Sequence, residues 1–247
     1  MKRAVYVEGQ SELLFVADVL QKYSGYDPGR CGFLCINLTA DNYERVNYPQ
    51  QGGEESQDYY QIVNVNNDNL VVSKLRKDVP GLIVQGYDVI IGLRDVFGEA
   101  YEYATGGEPK VDRVVIEEMH ALQSESIGAP EGSDCRLHFA IMEYEAWMLA
   151  LIENYVKGHG KDLAAVCEQL GIDLTVDPEQ AVYHPYPLVR RIYQACGEDY
   201  HKHGGESFSF LSTLTVEDYE GLRKSGRCAS FGKFLESLLG GERPQLP

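Results

Sequence analysis

Residues 3–20, RAVYVEGQSELLFVADVL, change their hydrophobic period within one short stretch. Residues 3–8 form a short apolar run that ends in an acid, which is typical of a buried strand. Gly9 interrupts the run, and Ser11 is expected to cap a helix that continues to about Tyr23. The apolar side chains of that helix recur at helical spacing: Leu13, Leu14, Val16, Ala17 and Leu20. A strand that turns at once into an amphipathic helix predicts a parallel sheet with crossover helices.

The alternation of strand and helix continues through the first part of the chain. Strands are expected at 32–38, 59–65, 87–93 and 136–142, and helices at 68–85, 111–124 and 143–155. Pro80 is expected to kink or split its helix, and Val114 and Leu122 are expected to face inward from theirs. Polar residues 41–58 are predicted to be a surface insertion, and residues 97–110, rich in glycine and glutamate, a loop.

Beyond about residue 155 the hydrophobic pattern is helical only. Apolar spacing predicts helices at 161–170, 178–182, 187–196, 215–224 and 229–239. We therefore expect two domains. The first, 1–155, is an α/β domain with a mainly parallel sheet and flanking helices, and the second, 156–247, is a helical subdomain.

The chain is strongly acidic, and this restricts its partners. Its 247 residues include 38 acidic and 22 basic side chains, which give a formal net charge of −16. Affinity for the phosphate backbone of nucleic acids grows with Lys and Arg contacts, so a simple nucleic-acid binder is disfavoured. An enzyme that meets nucleic acid through divalent cations, or beside a basic partner, stays compatible with this charge. The alternative is that the acids only solvate the surface and aid solubility.

Several classes of function lack their sequence patterns. The chain has no Walker A sequence, no GxSxG and no GxGxxG after a strand, which argues against ATP hydrolysis, serine hydrolase chemistry and dinucleotide binding. No apolar run of about 18 residues occurs, so we expect no membrane span. The first residues turn acidic before a signal-peptide core could form, so we expect a cytoplasmic protein. The six cysteines contain no CxxC pair and are expected to be free thiols.

Acidic residues follow the ends of three predicted strands. Glu8 ends the first strand and Glu12 lies in the next helical turn; Asp95 follows the central strand, and Glu143 and Glu145 follow the last. Functional groups collect at the carboxyl ends of parallel strands. Clustered carboxylates repel one another unless hard cations lie among them, so we expect a Mg²⁺ or Mn²⁺ site that suits phosphoryl-transfer or phosphodiester chemistry. Taken singly, each acid could instead favour a helix N-terminus or lie in an ordinary loop.

Several stretches of the chain carry a family resemblance. Residues 5–20, VYVEGQSELLFVADVL, resemble the strand–EGxxE–helix opening of TOPRIM domains, the metal-binding α/β module of topoisomerases, primases and OLD-type nucleases. That opening, the strand that ends at Asp95, and EYEAWMLAL (143–151) are together similar to a TOPRIM-like bacterial family filed as domain-of-unknown-function family 4276. Three C-terminal segments are similar to its helical tail: DPEQAVYHPYPLVRRIY (177–193), YHK (200–202) and RCASFGKFLESL (227–238).

The resemblance implies roles for individual acids. Glu8 matches the TOPRIM glutamate, which binds metal or acts as general acid or base, and Glu12 matches the second glutamate of the OLD-like opening. Asp95 matches the first aspartate of an Asp-x-Asp pair whose second position is Phe97 here, with Glu99 as a nearby substitute. Glu145 matches the glutamate before Ala-Trp, and Glu143 is a second candidate ligand.

Two functional hypotheses follow from these residues and from the resemblance. The first is a Mg²⁺- or Mn²⁺-dependent nuclease or phosphoryl-transfer enzyme, which the resemblance places beside an ATPase partner in bacterial genome defence. Its catalytic set is Glu8, Glu12, Asp95 and Glu145, and its metal ligands are these four with Glu143. The second is a non-catalytic module that binds a partner protein, which the absent second aspartate favours. Lys202 is interpreted either as part of a mobile polar loop or as a contact to a nucleic-acid phosphate.

Overall fold

A computed structural model of the protein describes residues 1–39, 42–46, 49–66, 70–202 and 206–240. Within these ranges the chain folds into a mixed α/β structure with one mostly parallel sheet and flanking helices, which confirms the predicted fold class. The strands are β1 (Lys2–Val7), β2 (Cys31–Thr39), β3 (Asn42–Arg45), β4 (Asp58–Asn64), β5 (Val89–Asp95) and β6 (Asp134–Ala140).

The sheet has the strand order β3-β2-β4-β1-β5-β6. Strand β1 pairs in parallel with both β4 and β5, and β2 pairs in parallel with β4. Strand β3 pairs with β2 in the antiparallel direction. The register of β1 sets Val7 beside Asn64 on one side and beside Leu93 on the other, so β1 and β4 end at the same level and β5 continues two residues further, to Asp95.

The helices mostly follow the predicted spans. They are α1 (Gln10–Ser24), α2 (Leu70–Val84), α3 (Glu99–Ala104), α4 (Arg113–Ile127), α5 (Glu145–Leu151), α6 (Glu153–Gly158), α7 (Leu163–Leu170), α8 (Pro178–Ala181), α9 (Pro185–Cys196), α10 (Glu206–Leu211), α11 (Val216–Ser225) and α12 (Ala229–Leu239). Helices α1, α4, α7, α9, α11 and α12 are each followed by a glycine in the left-handed conformation, which lets the chain leave the helix without steric penalty.

The chain forms two compact units, and each unit is made of several segments that are separate in sequence. The first contains Met1–Arg94, Glu118–His138 and the chain from Lys233 onward, and the second contains Asp95–Glu117 and Phe139–Gly232. The core of the first unit lies around β1 and β5, whose side chains are almost wholly buried. The core of the second unit is built around α5 and contains Trp147. The division into domains at residue 155 stays a prediction.

Several local expectations were wrong. Gly9, and not Ser11, is the N-cap of α1, and Ser11 is buried inside the helix. Part of the predicted polar insertion forms the exposed strand β3. Helix α3 lies inside the predicted loop 97–110, and its six residues are too few to show a helical period. Residues 41, 47 and 48 of the predicted insertion lie outside the described residues.

Two helices bear on the finer predictions. Pro80 lies inside α2 without splitting it, since the helix continues to Val84, and a kink at Pro80 stays a prediction. Val114 and Leu122 point outward from α4, with 64% and 67% of their surface exposed. The buried positions of α4 are Ile116 and Ile127 instead, so the apolar stripe of this helix is rotated from the predicted one.

Candidate metal centre

Three of the predicted acids form one cluster in the second unit. Asp95 is the last residue of β5, Glu143 lies in the turn after β6, and Glu145 is the first residue of α5. One carboxylate oxygen from each lies within 4.8 Å of the others. Their side chains are 6%, 4% and 1% exposed, respectively. The centre is therefore a set of hard oxygen donors held away from bulk water, and it could hold a divalent cation.

The turn that presents Glu143 has an unusual backbone. Met142 has a φ of 65°, in the left-handed region that residues with a side chain rarely adopt. Its carbonyl oxygen accepts hydrogen bonds from Val96 N (3.1 Å) and Phe97 N (2.7 Å), which follow Asp95 in the chain. These bonds join the turn after β5 to the turn after β6. Uncommon backbone geometry of this kind is concentrated at functional sites.

Each carboxylate of the cluster is oriented through one of its two oxygens. The donors are backbone N–H groups for two acids and a phenol for the third. Tyr144 N donates to Asp95 Oδ1 (2.8 Å), Tyr186 N donates to Glu143 Oε2 (2.9 Å), and Tyr200 Oη donates to Glu145 Oε1 (3.0 Å). Because one oxygen of each acid is anchored in this way, the other oxygen has a defined direction.

The three remaining oxygens converge on the ammonium group of Lys202. Its Nζ atom lies 2.8 Å from Glu143 Oε1, 3.2 Å from Glu145 Oε2 and 3.5 Å from Asp95 Oδ2. The Lys202 side chain is 31% exposed, far more than the acids. The nitrogen also lies 5.5 Å from the centre of the Tyr186 ring, within range of a cation–π interaction.

The electrostatics of the centre favour a positive charge at this point. Burial by itself would lower the pKa of Lys202, but attraction by Asp95, Glu145 and Glu143 outweighs it and raises the pKa above its usual value. Helix α9 stabilises the Glu143 carboxylate and not the cation, because Tyr186 lies in the first turn of the helix, where the N–H groups carry partial positive charge. The lysine is therefore charged over the whole physiological pH range.

Phe97 stands where an Asp-x-Asp pair would have its second aspartate. Its ring stacks on the imidazole of His184 with 4.3 Å between ring centres. His184 Nε2 in turn lies 3.6 Å from Glu143 Oε2. Phe97 therefore contributes no ligand but helps to place a polar ring beside the cluster. The nearby Glu99 begins α3 and is exposed, and its role as a substitute ligand stays a prediction.

A second buried acid fixes the helix that carries Glu145. Trp147 Nε1 donates to Glu179 Oε1 (3.0 Å), and Ser230 donates to the same carboxylate through both its hydroxyl and its backbone N–H. Burial raises the pKa of Glu179, against the lowering effect of the hydrogen bonds from Ser230 and Trp147. This network ties α5 to α8 and to the start of α12, so Glu145 stands on a rigid element.

Glu8 and Glu12 belong to the first unit. Glu8 follows β1 and is 8% exposed, and Glu12 lies in the first turn of α1 and is 7% exposed. The Glu12 side chain folds back over Gly9, since a methyl group added at Gly9 would lie 2.9 Å from Glu12 Oε2. The role of these two glutamates as metal ligands and catalytic groups stays a prediction.

The sequence patterns do not identify three contributors to the cluster. They favour Lys202 as a loop residue or a phosphate contact, and they give Tyr200 and His184 no place in the site. The only available signal was indirect: several buried acids at a strand end require a compensating positive charge. No spacing rule identifies that charge, because Lys202 is 107 residues from Asp95 along the chain.

Comparison with known proteins identifies no family for this chain. No family model, no curated protein and no solved structure matches the chain. The TOPRIM-like relationship therefore stays a prediction from the sequence motifs. Among the residues that the structure describes, no helix is long and apolar enough to cross a membrane.

Proposed function

We propose that the protein is a Mg²⁺- or Mn²⁺-dependent nuclease or phosphoryl-transfer enzyme whose centre is formed by Asp95, Glu143 and Glu145. One observation carries the proposal: three buried carboxylates are each anchored through one oxygen and direct the other to a single point. Carboxylates whose only role is to stabilise a helix N-terminus would not need to direct their second oxygens to a common point.

The chemistry divides between the cation and the chain. A divalent cation, when bound, lowers the pKa of water and stabilises negative charge on phosphoryl oxygens. The carboxylates of Asp95, Glu143 and Glu145 hold the cation, and the donors Tyr144 N, Tyr186 N and Tyr200 Oη keep them in place. His184 lies against Glu143 and is 41% exposed, so it is accessible to a substrate that approaches the cluster.

The substrate class in this proposal is a phosphodiester. With a net charge of −16, the protein repels nucleic acid at long range, so cations or a basic partner must offset this charge. The TOPRIM-like sequence motifs support a nuclease rather than another phosphoryl-transfer enzyme, and they support an ATPase partner in bacterial genome defence.

The proposal is tested by metal-dependent cleavage of labelled single-stranded DNA, duplex DNA and RNA. Glu145→Gln should reduce the Mn²⁺-dependent rate by about 100-fold or more, since the loss of groups that support a metal already costs about 10–100-fold. Glu153→Gln is the matched control, because Glu153 lies on α6 with 60% of its side chain exposed and pairs with Lys157. Equal cleavage by the wild type and by Glu145→Gln would show that the activity does not come from this centre.

The second candidate is a non-catalytic module that binds a partner protein. Two observations favour it: Phe97 replaces a carboxylate of the predicted metal pair, and Lys202 already neutralises part of the cluster. Under this candidate the acids form a fixed ion-pair network that shapes a surface. It predicts no Mn²⁺ binding at millimolar concentrations and no cleavage with any of the three substrates.

A further inference from the structure

We propose that Lys202 is a built-in competitor of the divalent cation: its ammonium group occupies the cation position and must leave before Mg²⁺ or Mn²⁺ binds. This inference rests on the proposed function, because it concerns the regulation of that same centre. It assigns the chain a closed form, held by its own lysine, and an open form whose population rises with the cation concentration.

The first argument is the hydrogen-bond capacity of the ammonium group. A lysine ammonium has three N–H donors and no acceptor. The ammonium group donates to Glu143 Oε1 (2.8 Å) and to Asp95 Oδ2 (3.5 Å), and it forms an ion pair with Glu145 Oε2 at 3.2 Å. The oxygens that would coordinate a cation are therefore the ones that Lys202 engages.

The second argument concerns distance. Magnesium requires oxygens at about 2.0–2.1 Å, whereas the oxygens of this centre stand 2.8–3.5 Å from the lysine nitrogen. The present spacing suits an ammonium ion. A magnesium ion at the position of the lysine nitrogen would need the same three carboxylate oxygens to move closer to that position.

The third argument concerns charge. Three ionised carboxylates and one ammonium leave a formal local charge of −2, so the centre still attracts cations. A divalent cation placed among the same oxygens would meet the ammonium at very short range, and like charges this close repel strongly. One cation therefore excludes the other, and binding of Mg²⁺ includes the cost of releasing Lys202.

The fourth argument is that Lys202 has a route out of the centre. Its side chain is 31% exposed, whereas Tyr200, two residues earlier, is fully buried and bound to Glu145. The backbone at Tyr200 can therefore stay in place while the lysine side chain turns toward solvent. Lysine side chains hold their charged ends in water readily, because the stem is long and flexible.

The test compares the affinity of Mn²⁺ for the wild type, for Lys202→Met and for Lys157→Met, measured from the electron paramagnetic resonance signal of free Mn²⁺. Methionine retains the length of the lysine stem and removes its charge. Lys202→Met should bind Mn²⁺ between about 5- and 150-fold more tightly than the wild type, the usual range of coupling between two ligands. Lys157→Met is the control, because Lys157 is 60% exposed and belongs to another ion pair, and its affinity should equal that of the wild type.

A second measurement uses the wild-type protein alone, so it does not depend on the folding of a variant. The protein is treated briefly with acetic anhydride at a fixed pH, with and without Mn²⁺, and acetylation of each lysine is measured by mass spectrometry. Mn²⁺ should increase the acetylation of Lys202 several-fold and leave that of Lys157 unchanged.

The possible outcomes separate this inference from the proposed function. Tighter binding by Lys202→Met together with increased acetylation of Lys202 supports the inference. Equal or weaker binding by a folded Lys202→Met, or unchanged acetylation of Lys202 in Mn²⁺-loaded wild type, overturns the inference and leaves the metal centre intact. Absence of Mn²⁺ binding by both the wild type and Lys202→Met overturns the inference and the proposed function together.

Discussion

Charged side chains are buried in both units, and they form hydrogen bonds with neighbouring side chains. Arg3 is 2% exposed in the first unit and donates to Asp58 Oδ1 at 3.0 Å and to Tyr60 Oη at 2.9 Å. Glu179 is fully buried in the second unit and accepts from Trp147 and Ser230. Removing one partner of a buried pair leaves the other charge in a poorly solvated place, which typically costs about 3–5 kcal/mol.

His138 provides a prediction on pH. Burial lowers its pKa to about 4, assisted by repulsion from His120, Arg136 and Lys233. In the unfolded chain the imidazole has a pKa near 6.5, so between about pH 6.5 and 4 the unfolded state binds more protons than the folded state. The stability that this residue contributes is therefore complete above about pH 6.5. It is lost as the pH falls to 4, and its magnitude is on the order of 2–3 kcal/mol.

The measurement is urea unfolding of the wild type and of His138→Gln between pH 7.5 and 4. Glutamine does not titrate, so the variant should lose less unfolding free energy over this interval than the wild type does. The comparison at pH 7.5 corrects for any change in packing against Phe234, whose ring lies 5.7 Å from the imidazole. Parallel pH profiles for the two proteins would contradict the prediction.

Among the elements, β5 and α2 approach closely at a glycine, Gly92. A methyl group added at Gly92 would lie 2.6 Å from Leu75 Cδ1, 3.1 Å from Leu137 Cδ1 and 3.3 Å from Val71 Cγ1. Gly92→Ala should therefore lower the unfolding free energy by about 1–3 kcal/mol, the usual cost of overpacking. Urea unfolding followed by circular dichroism provides the measurement.

Gly81 offers a matched control on the same helix. It is exposed on α2, and a methyl group there would meet only Gln85 Nε2, at 3.9 Å. Gly81→Ala should raise the unfolding free energy by about 0.5–1 kcal/mol, because alanine favours the helix over glycine. The same substitution should thus lower the unfolding free energy at Gly92 and raise it at Gly81. An increase at both positions would show that the contact at Gly92 is not tight.

The elements also show where local sequence is informative. Strands β1, β4 and β5 were predicted because continuous apolar runs are needed in a sheet that is covered on both faces. Strand β3 was missed because all four of its residues are exposed, so it has no apolar alternation. The inward face of α4 was misplaced because several apolar stripes are available on that helix, and only packing selects Ile116 and Ile127.

For the whole molecule, the proposed centre predicts a link between metal and thermal stability. Saturation at about 100 times the dissociation constant stabilises a protein by about 2.7 kcal/mol, which corresponds to roughly 5–10 °C for a chain of this size. The chain has a single tryptophan, Trp147, two residues from Glu145, so its fluorescence reports unfolding of the second unit. Mg²⁺ should raise the fluorescence-detected melting temperature above that measured in EDTA.

Two variants make this melting experiment specific. Glu145→Gln removes a proposed ligand and should abolish most of the shift, whereas Glu153→Gln, on the exposed side of α6, should retain it. If the wild type melts at the same temperature in EDTA and in saturating Mg²⁺, the metal centre loses its main support. That result would favour the partner-binding candidate.

The amino-acid sequence by itself determined the α/β class, most helices and strands, and the placement of Asp95, Glu143 and Glu145 just after strands. These are local properties, because hydrophobic period and strand ends are encoded within 5 to 15 neighbouring residues. The tertiary structure alone decided which acids converge and that Lys202 lies among them. Lys202 is separated from Glu143 by 59 residues and from Asp95 by 107. No local pattern encodes such a meeting, because it results from the burial of three carboxylates that together require a nearby positive charge.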